Sequence, residues 1–217
     1  MAKEPVSREK QVRVTRAFPI VVSGPSGVGK TTLVSGLIGK LSMLQRSISA
    51  TTRAPRGGEV NGESYFFVSE EEFENLKRDK LVEWAKVHGY LYGTPRAFVE
   101  RTLEKGIDVV LSIDVQGGRA VKKCFPDAVM VLILPPSFEV LEQRITRRAA
   151  DLDEDIKTRL ANARHELRAL PEYEYAVVNN ELDQAVAALR AIVVAERCRR
   201  WRYPEGYLRP FECEAAG

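Results

Sequence analysis

The stretch Gly24-Pro25-Ser26-Gly27-Val28-Gly29-Lys30-Thr31 (GPSGVGKT) lies between an apolar run, residues 18–22, and a segment whose apolar residues have helical spacing. It fits the pattern G-x-x-x-x-G-K-[ST], in which glycines let backbone N–H groups approach a phosphate closely. In this pattern the lysine reaches the terminal phosphate oxygens of a nucleotide, and the hydroxyl binds Mg²⁺. A strand, a loop and a helix in this order predict a triphosphate site at the helix N-terminus.

Length and composition predict one cytoplasmic globular domain. The chain has 217 residues, of which 44% are hydrophobic, enough for a full core. The formal net charge of +3 is too balanced to favour nucleic acid as a partner. Cys124, Cys198 and Cys213 are few and far apart, which favours reduced thiols. The longest apolar run, residues 128–134, is too short to cross a bilayer, so no membrane partner is expected.

The apolar pattern of the second half of the chain predicts an α/β fold. Short runs rich in valine and isoleucine at 107–114, 128–134 and 175–180 are typical of buried parallel strands. Helical patterns at 97–104, 138–148, 155–170 and 182–201 alternate with them. This alternation predicts a parallel sheet flanked by helices, with ligands beyond the carboxyl ends of the strands.

Residues 47–97 interrupt the alternation and predict an inserted, mixed β/α lobe. Turn signals occur at Pro55, at Gly57-Gly58 and at Asn61-Gly62, with short β-type runs around them. Ser69 and Glu72 have the spacing of a capping box, which predicts a helix over 70–79.

Several stretches downstream of SGPSGVGKTTL (23–33) together resemble the guanylate kinases: SATTRAPRGGEVNGESYFFVS (49–69), VEWAKVHGYLYGTP (82–95), SIDVQG (112–117) and ILPPS (133–137). The resemblance covers residues 18–197 in one order. It implies a P-loop nucleoside monophosphate kinase with a monophosphate-binding lobe and a helical lid. The implied reaction is ATP + GMP to ADP + GDP, with Mg²⁺ accompanying ATP and dGMP as a further substrate.

Two arginines of the lobe predict a second phosphate site. Arg53 and Arg56 stand three apart in a proline-containing loop, and a guanidinium matches a phosphate bidentately. A solvated turn is the alternative for this pair alone. The resemblance adds Tyr65 and Tyr92 as hydroxyl donors to the same α-phosphate of GMP.

Glu83 is the predicted reader of the base. Its neighbours Val82 and Trp84 indicate an apolar setting, where a carboxylate needs donors. Guanine offers N1–H and the 2-amino group, and the resemblance places Glu83 there, with Ser49 near O6 and Thr94 completing the pocket. Asp114, at the end of a strand, faces either the metal-nucleotide or the guanosine. Ser112 stands where the family usually carries a second carboxylate.

The predicted lid, 144–164, supplies cations, because phosphoryl transfer depends on positioning and on positive charge at the transferring oxygens. The resemblance assigns Lys30, Arg144, Arg148 and Arg159 as the catalytic residues, whereas Arg147 and Arg164 are interpreted as solvated. The sequence RRAADL (147–152) replaces the usual Arg-Gly-Thr-Glu turn of the family.

The predicted ATP site comprises the loop, the residue after it and one distant asparagine. Asn179 matches the position that contacts adenine in the family, but an asparagine after a strand is equally an ordinary turn residue. Thr31 is the predicted metal ligand. The predicted ATP-binding residues are Gly24, Pro25, Ser26, Gly27, Val28, Gly29, Lys30, Thr31, Thr32 and Asn179.

The two ends of the chain are predicted to lie outside the kinase domain, which we place at 17–201. Residues 1–16 predict a flexible leader, and 202–217 a C-terminal tail. The basic, aromatic stretch RCRRWRYPEGYLRPFE (197–212) is interpreted as aromatics packed on the last helix with arginines in water. Stacking on RNA is the alternative interpretation.

Two other functions remain open at this point. A non-catalytic guanylate-kinase-like interaction module would keep the lobe, but it has no need of both phosphate sites. A kinase of the same architecture for another nucleoside monophosphate is the second alternative, against which Ser49 and Glu83 favour guanine. The expected partners are ATP and GMP, in a monomer or a homodimer.

Overall fold

The computed structural model describes residues 14–87, 89–148 and 153–211, and the side chains of all of these except 148 and 153–155. A five-stranded parallel sheet has the order β2-β7-β1-β8-β9. The central strand β1 pairs with β7 and β8, so that Val21 lies opposite Leu111 and Met130. The strands are β1 (Pro19–Ser23), β2 (Leu44–Arg46), β3 (Ala50–Thr51), β4 (Phe66–Phe67), β5 (Leu81–Val87), β6 (Tyr90–Pro95), β7 (Asp108–Ser112), β8 (Val129–Leu134) and β9 (Tyr175–Val178).

Helices cover both faces of this sheet, as the α/β pattern predicts. Successive residues of β1 point to opposite faces: Ile20 and Val22 pack in one core cluster with residues of α1 and α7, and Val21 packs in a second with residues of α3 and α4. The predicted parallel sheet flanked by helices is therefore confirmed. The helices are α1 (Lys30–Lys40), α2 (Glu70–Lys77), α3 (Arg96–Glu104), α4 (Val115–Cys124), α5 (Phe138–Arg148), α6 (Asp153–Leu167) and α7 (Leu182–Arg197).

The segment predicted as an inserted lobe builds a second, mixed sheet. Its four strands have the order β4-β3-β6-β5, with β5 and β6 antiparallel and β3 and β4 parallel. The predicted capping box opens α2: Ser69 Oγ accepts from the Glu72 N–H over 3.1 Å, and Glu72 Oε2 accepts from the Ser69 N–H over 2.7 Å. Phe73, fully buried, anchors this helix against the lobe sheet.

The C-terminal segment corrects one prediction. Arg202, expected in water, is 1% exposed, whereas Trp201 and Phe211 are exposed. The Arg202 guanidinium lies 3.8 Å from the centre of the Phe18 ring and donates to Glu196 Oε2 over 3.3 Å. A planar guanidinium can stack on an aromatic ring and pair with a carboxylate at the same time. These two contacts allow Arg202 to be buried where the chain turns back onto the sheet. Within the described ranges, no helix is long and apolar enough to cross a membrane.

Candidate functional site

The phosphate loop joins β1 to α1 and depends on its glycines. Gly24, Gly27 and Gly29 have φ values of 142°, 83° and 99°, which L side chains rarely adopt. A Cβ atom on Gly24 would lie 2.4 Å from the Ile133 backbone oxygen, and one on Gly29 would lie 2.5 Å from Asn179 Nδ2. The loop can therefore take this shape only with glycine at these positions.

Lys30, the first residue of α1, folds back over this loop. Its ammonium group donates to the backbone oxygens of Gly24 and Pro25, the latter over 3.1 Å. Burial lowers the pKa of Lys30, while the negative charges of Glu166 and Asp114 act in the opposite direction. The loop thus holds one cation, stabilised by its own carbonyl groups, at the mouth of the phosphate site.

A cavity of about 850 Å³ separates the phosphate loop from the lobe. The phosphate loop forms one wall and the lobe sheet forms the other. The cavity therefore brings together residues predicted for ATP and residues predicted for GMP. The predicted site residues that line it are Ser26, Lys30, Ser49, Tyr65, Glu83, Tyr92 and Asp114. Thr31 and Thr32 are exposed beside the loop, and Val28 is buried beneath it.

One end of the cavity presents the half-buried carboxylate of Glu83. Glu83 Oε1 accepts a hydrogen bond of 2.5 Å from the hydroxyl of Thr94, which is itself fully buried. Burial raises the pKa of Glu83; the charge of Asp114 also raises it, and the Thr94 hydrogen bonds lower it. A carboxylate has more acceptor positions than Thr94 fills, so this end of the cavity can take further N–H donors from a ligand.

Asp114 has a structural role in addition to its predicted one. Its Oδ1 accepts from the Gly117 N–H over 2.8 Å and so caps the N-terminus of α4. The residue also lines the cavity, between Glu83 and the phosphate loop.

The lobe also holds a buried guanidinium, that of Arg53. Arg53 is 8% exposed and donates to Tyr92 Oη over 3.3 Å, to the Ala54 oxygen over 2.7 Å and to Glu59 Oε1 over 2.8 Å. Its carbon Cζ lies 5.4 Å from the centre of the Tyr65 ring. The hydrogen bond to Glu59 is the largest cause of a raised Arg53 pKa. The predicted partner of this arginine, Arg56, has an exposed side chain in the same loop.

Sequence reasoning missed three acidic residues of the cavity, Glu59, Glu63 and Glu166. Glu59 follows the predicted phosphate arginines at a spacing that carries no motif by itself. Glu166, on α6, has an Oε2 atom that is buried without a hydrogen-bond partner among the described residues. Burial raises the pKa of Glu166 to about 7, while Lys30 lowers it and Asp114 raises it.

The predicted lid residues lie on two helices, α5 and α6. Arg144 donates from Nη1 and Nη2 to the backbone oxygen of Asn179, over 3.2 Å each. Arg159 lies half-buried on α6 and lines neither this cavity nor the smaller one behind the loop. The side chain of Arg148, at the end of α5, is outside the described part of the chain, as are residues 149–152 of the predicted lid.

Asn179 supports the phosphate loop from behind. Its side-chain amide donates to the Val28 oxygen over 2.7 Å. With Arg144 and Arg147 it lines a smaller cavity of about 360 Å³ that also contains Thr32. One N–H of the Asn179 amide therefore binds the loop, and a contact between Asn179 and adenine stays a prediction.

The fold and the cavity together define a class of protein. A parallel sheet carries a P-loop lysine at the carboxyl end of its central strand. Across the cavity, an inserted lobe presents the half-buried carboxylate of Glu83 and also holds the guanidinium of Arg53. This is the arrangement of a P-loop phosphotransferase with a separate acceptor site. Within that class the chain belongs to the guanylate kinase family, whose model matches residues 16–196.

Relatives and a solved structure agree with this assignment. The chain is 50% identical over 191 residues to a guanylate kinase of Caldanaerobacter subterraneus subsp. tengcongensis, covering 88% of this chain and 93% of the relative. It is 46% identical over 186 residues to one of Desulfitobacterium hafniense, covering 85% and 93%. The crystal structure of guanylate kinase from Anaplasma phagocytophilum matches with a TM-score of 0.69 at 31% identity, covering 91% of this chain and 94% of that one.

Proposed function

We propose that this enzyme transfers the γ-phosphoryl group of ATP to GMP, and to dGMP, giving ADP and the nucleoside diphosphate. One observation carries the proposal: a single cavity joins the phosphate-loop lysine, Lys30, to a lobe that holds a half-buried carboxylate, Glu83, and a buried guanidinium, Arg53. The names of the relatives, all guanylate kinases, support the same reaction.

Guanine is read at the Glu83 end of the cavity. Its N1–H and 2-amino group offer two donors on one edge, and the free acceptor positions of the Glu83 carboxylate match them. Thr94 fixes the orientation of that carboxylate through its 2.5 Å hydrogen bond. Ser49, on the cavity wall, is proposed to contact O6. Asp114 is proposed to complete the GMP site between the base and the phosphate loop.

The monophosphate binds at the Arg53 end. Arg53 and Arg56 supply charge, and Tyr65 and Tyr92 supply hydroxyl groups on the same wall. A guanidinium is the side chain best matched to a phosphate, since it offers N–H groups in a fixed planar fork. Binding both ends of GMP directs its phosphate toward Lys30.

Transfer then depends on positive charge around the γ-phosphoryl group. The loop, residues 24–32, is proposed to cradle the ATP phosphates with its N–H groups, and Asn179 to lie on the adenine side. The proposed cations on the transferring oxygens are Lys30, Arg144, Arg148 and Arg159. Arg144 sits on the loop side already, through its bonds to Asn179.

Mg²⁺ fits the residues present. The unpartnered, buried Oε2 of Glu166 leaves a carboxylate on the cavity wall that a hydrated cation arriving with ATP would satisfy. Thr31 is proposed to hold the ion through its hydroxyl. When bound, the ion neutralises charge on the β- and γ-phosphate oxygens.

The division of the chain is also a proposal. The kinase domain spans 17–201, with a GMP-binding lobe at 47–97 and a lid at 144–164, between a leader (1–16) and a C-terminal tail (202–217). Cys124 and Cys198 are free thiols, which supports a reducing, cytoplasmic setting.

The direct test is an ADP-release assay with ATP, Mg²⁺ and one acceptor at a time: GMP, dGMP, AMP, CMP or UMP. We expect turnover with GMP and dGMP and almost none with the others. A kinase for another monophosphate would show its highest kcat/KM with one of the other acceptors. An interaction module would show no turnover with any acceptor, including GMP.

A further inference from the structure

The carboxylate of Glu59 closes the loop that carries the two phosphate arginines. Its Oε1 accepts from Arg53 Nη2 over 2.8 Å, and its Oε2 accepts from the Arg56 backbone N–H over 2.7 Å. The backbone adds a turn, in which the Glu59 N–H donates to the Arg56 oxygen over 3.0 Å. Gly58, with a φ of 85°, allows this turn. One side chain therefore fixes both the guanidinium of Arg53 and the backbone of Arg56.

Glu59 leaves the Arg53 guanidinium able to bind a phosphate. Of its five N–H groups, one donates to Tyr92, one to Ala54 and one to Glu59. Two N–H groups, one on each terminal nitrogen, have no hydrogen-bond partner among the residues that the structure describes. The guanidinium is thus held by three hydrogen bonds, and each terminal nitrogen keeps one donor that a phosphate can accept from.

The charges of this pair are fixed at neutral pH. The hydrogen bond from Arg53 is the largest cause of a lowered Glu59 pKa, and the Arg56 N–H lowers that pKa further. The same ion pair raises the pKa of Arg53. Ordering a long arginine side chain before its ligand arrives reduces the conformational entropy that binding would otherwise cost.

We propose that Glu59 is a positioning residue for the GMP phosphate, which orients Arg53 and Arg56 before the nucleotide binds. This inference rests on the proposed function, because it takes the lobe arginines as the monophosphate site. The opposite arrangement would be a carboxylate that occupies the phosphate position and must be displaced. The two arrangements predict opposite changes in GMP affinity. Loss of a positioning carboxylate weakens GMP binding, whereas loss of a carboxylate that occupies the phosphate position strengthens it.

The test compares Glu59→Gln with Glu63→Gln by calorimetric titration of GMP and of guanosine. Glu63 is an exposed carboxylate on the same cavity wall, so its substitution removes the same charge without touching Arg53. We expect Glu59→Gln to weaken GMP binding about tenfold, in line with the loss of one charge-assisted hydrogen bond. Guanosine, which lacks the phosphate, should bind within about twofold of wild type, and Glu63→Gln should bind both ligands normally.

Kinetics and a double variant separate positioning from a general loss of structure. In Glu59→Gln, KM for GMP should rise about tenfold while kcat stays within about threefold of wild type. In an Arg53→Lys background, Glu59→Gln should weaken GMP binding by less than about threefold, since its effect passes mainly through Arg53.

Unchanged or tighter GMP binding in Glu59→Gln would overturn the proposal, as would an equal loss of guanosine affinity. Those results would leave the proposed function intact as long as the wild-type enzyme phosphorylates GMP. A wild-type enzyme that does not bind GMP would instead refute the proposed function itself.

Discussion

The side-chain amide of Asn179 donates a 2.7 Å hydrogen bond to the backbone oxygen of Val28, joining the end of β9 to the phosphate loop. Arg144, on α5, donates to the backbone oxygen of the same asparagine. The conformation of the phosphate loop is therefore supported from two other parts of the chain, which meet at one residue.

Asn179→Ala should loosen this loop. Val28 is fully buried, so its backbone oxygen would lose its donor away from water, at a cost of about 1–3 kcal/mol. We expect a Tm lower by about 2–6 °C in calorimetry and a raised KM for ATP. Asn180→Ala, in the exposed neighbour, is the control. A variant with wild-type Tm and KM would mean that the loop does not depend on this hydrogen bond.

Lys30→Ala should abolish transfer, because its charge is proposed to meet the phosphoryl oxygens of ATP. We expect kcat/KM to fall at least about a hundredfold, the loss typical of one transition-state donor, with an unchanged far-UV circular dichroism spectrum. The matched control is Lys40→Ala at the other end of α1, where the lysine forms an exposed ion pair with Asp183. Near-normal turnover in Lys30→Ala would remove Lys30 from the catalytic set.

Arg144→Ala should lower kcat more than it raises KM for GMP, since a lid cation acts mainly on charge that develops in the transition state. We expect kcat to fall about a hundredfold and KM for GMP to change less than about threefold. Arg147→Ala, in the exposed arginine three residues further along α5, should retain most activity. A pure KM effect in Arg144→Ala would move Arg144 to the substrate-binding residues.

Glu166 should make stability fall as the pH rises. Its pKa in the folded chain, about 7, is above the ordinary value of 4.5, so the folded state binds this proton more tightly than the unfolded state. Ionisation between pH 5 and 7 therefore lowers the free energy of unfolding.

Glu166→Gln should then have the Tm of wild type at pH 5 and a Tm about 2–4 °C higher at pH 8. This difference corresponds to roughly 1 kcal/mol in the free energy of unfolding, because solvent screens part of the charge effect. Glu142→Gln, in an exposed carboxylate of α5, should show no such trend. The measurement is the Tm of each protein without nucleotide over a series of pH values. A Tm difference between Glu166→Gln and wild type that does not change with pH would contradict the prediction.

Most of the main sheet could be predicted because its inner strands are largely apolar runs. Residues 128–134 predict a strand that the structure gives as Val129–Leu134, buried on both faces. The edge strand β2 (Leu44–Arg46) escaped prediction, since two of its three residues are exposed and it has no apolar run. Pairing with β7, rather than local pattern, defines it.

Helix α4 escaped prediction for a different reason. Gly117 and Gly118 lower its helix propensity, but a Cβ atom on Gly118 would lie 2.9 Å from Tyr173 Oη, and one on Gly117 would lie 3.2 Å from Glu83 Oε2. These glycines serve close approach by residues distant in the sequence, which no local pattern records.

The residues of the candidate site also fall into a group that local sequence predicts and a group that it does not. Residues within a local motif, such as the glycines of the phosphate loop, follow from their spacing. Glu59 and Glu166 do not, because one depends on how the 53–59 loop closes and the other on which side of α6 faces the cavity. Both are consequences of tertiary packing.

If Glu83 reads guanine, its effect is visible in the ratio of kcat/KM for GMP to that for AMP. Adenine presents a lone pair at N1 and no 2-amino group, so the Glu83 carboxylate would face it unpaired. Polar pairing of this kind discriminates by roughly four to five powers of ten, and we expect such a preference in the wild-type enzyme.

In Glu83→Gln the amide offers one acceptor to two donors, so this ratio should fall at least about a hundredfold, the size of one to two charge-assisted hydrogen bonds. Glu63→Gln, which removes an exposed charge from the same cavity, should keep the wild-type ratio. A Glu83→Gln enzyme that keeps the wild-type preference for GMP over AMP would contradict the assignment of Glu83 as the guanine reader.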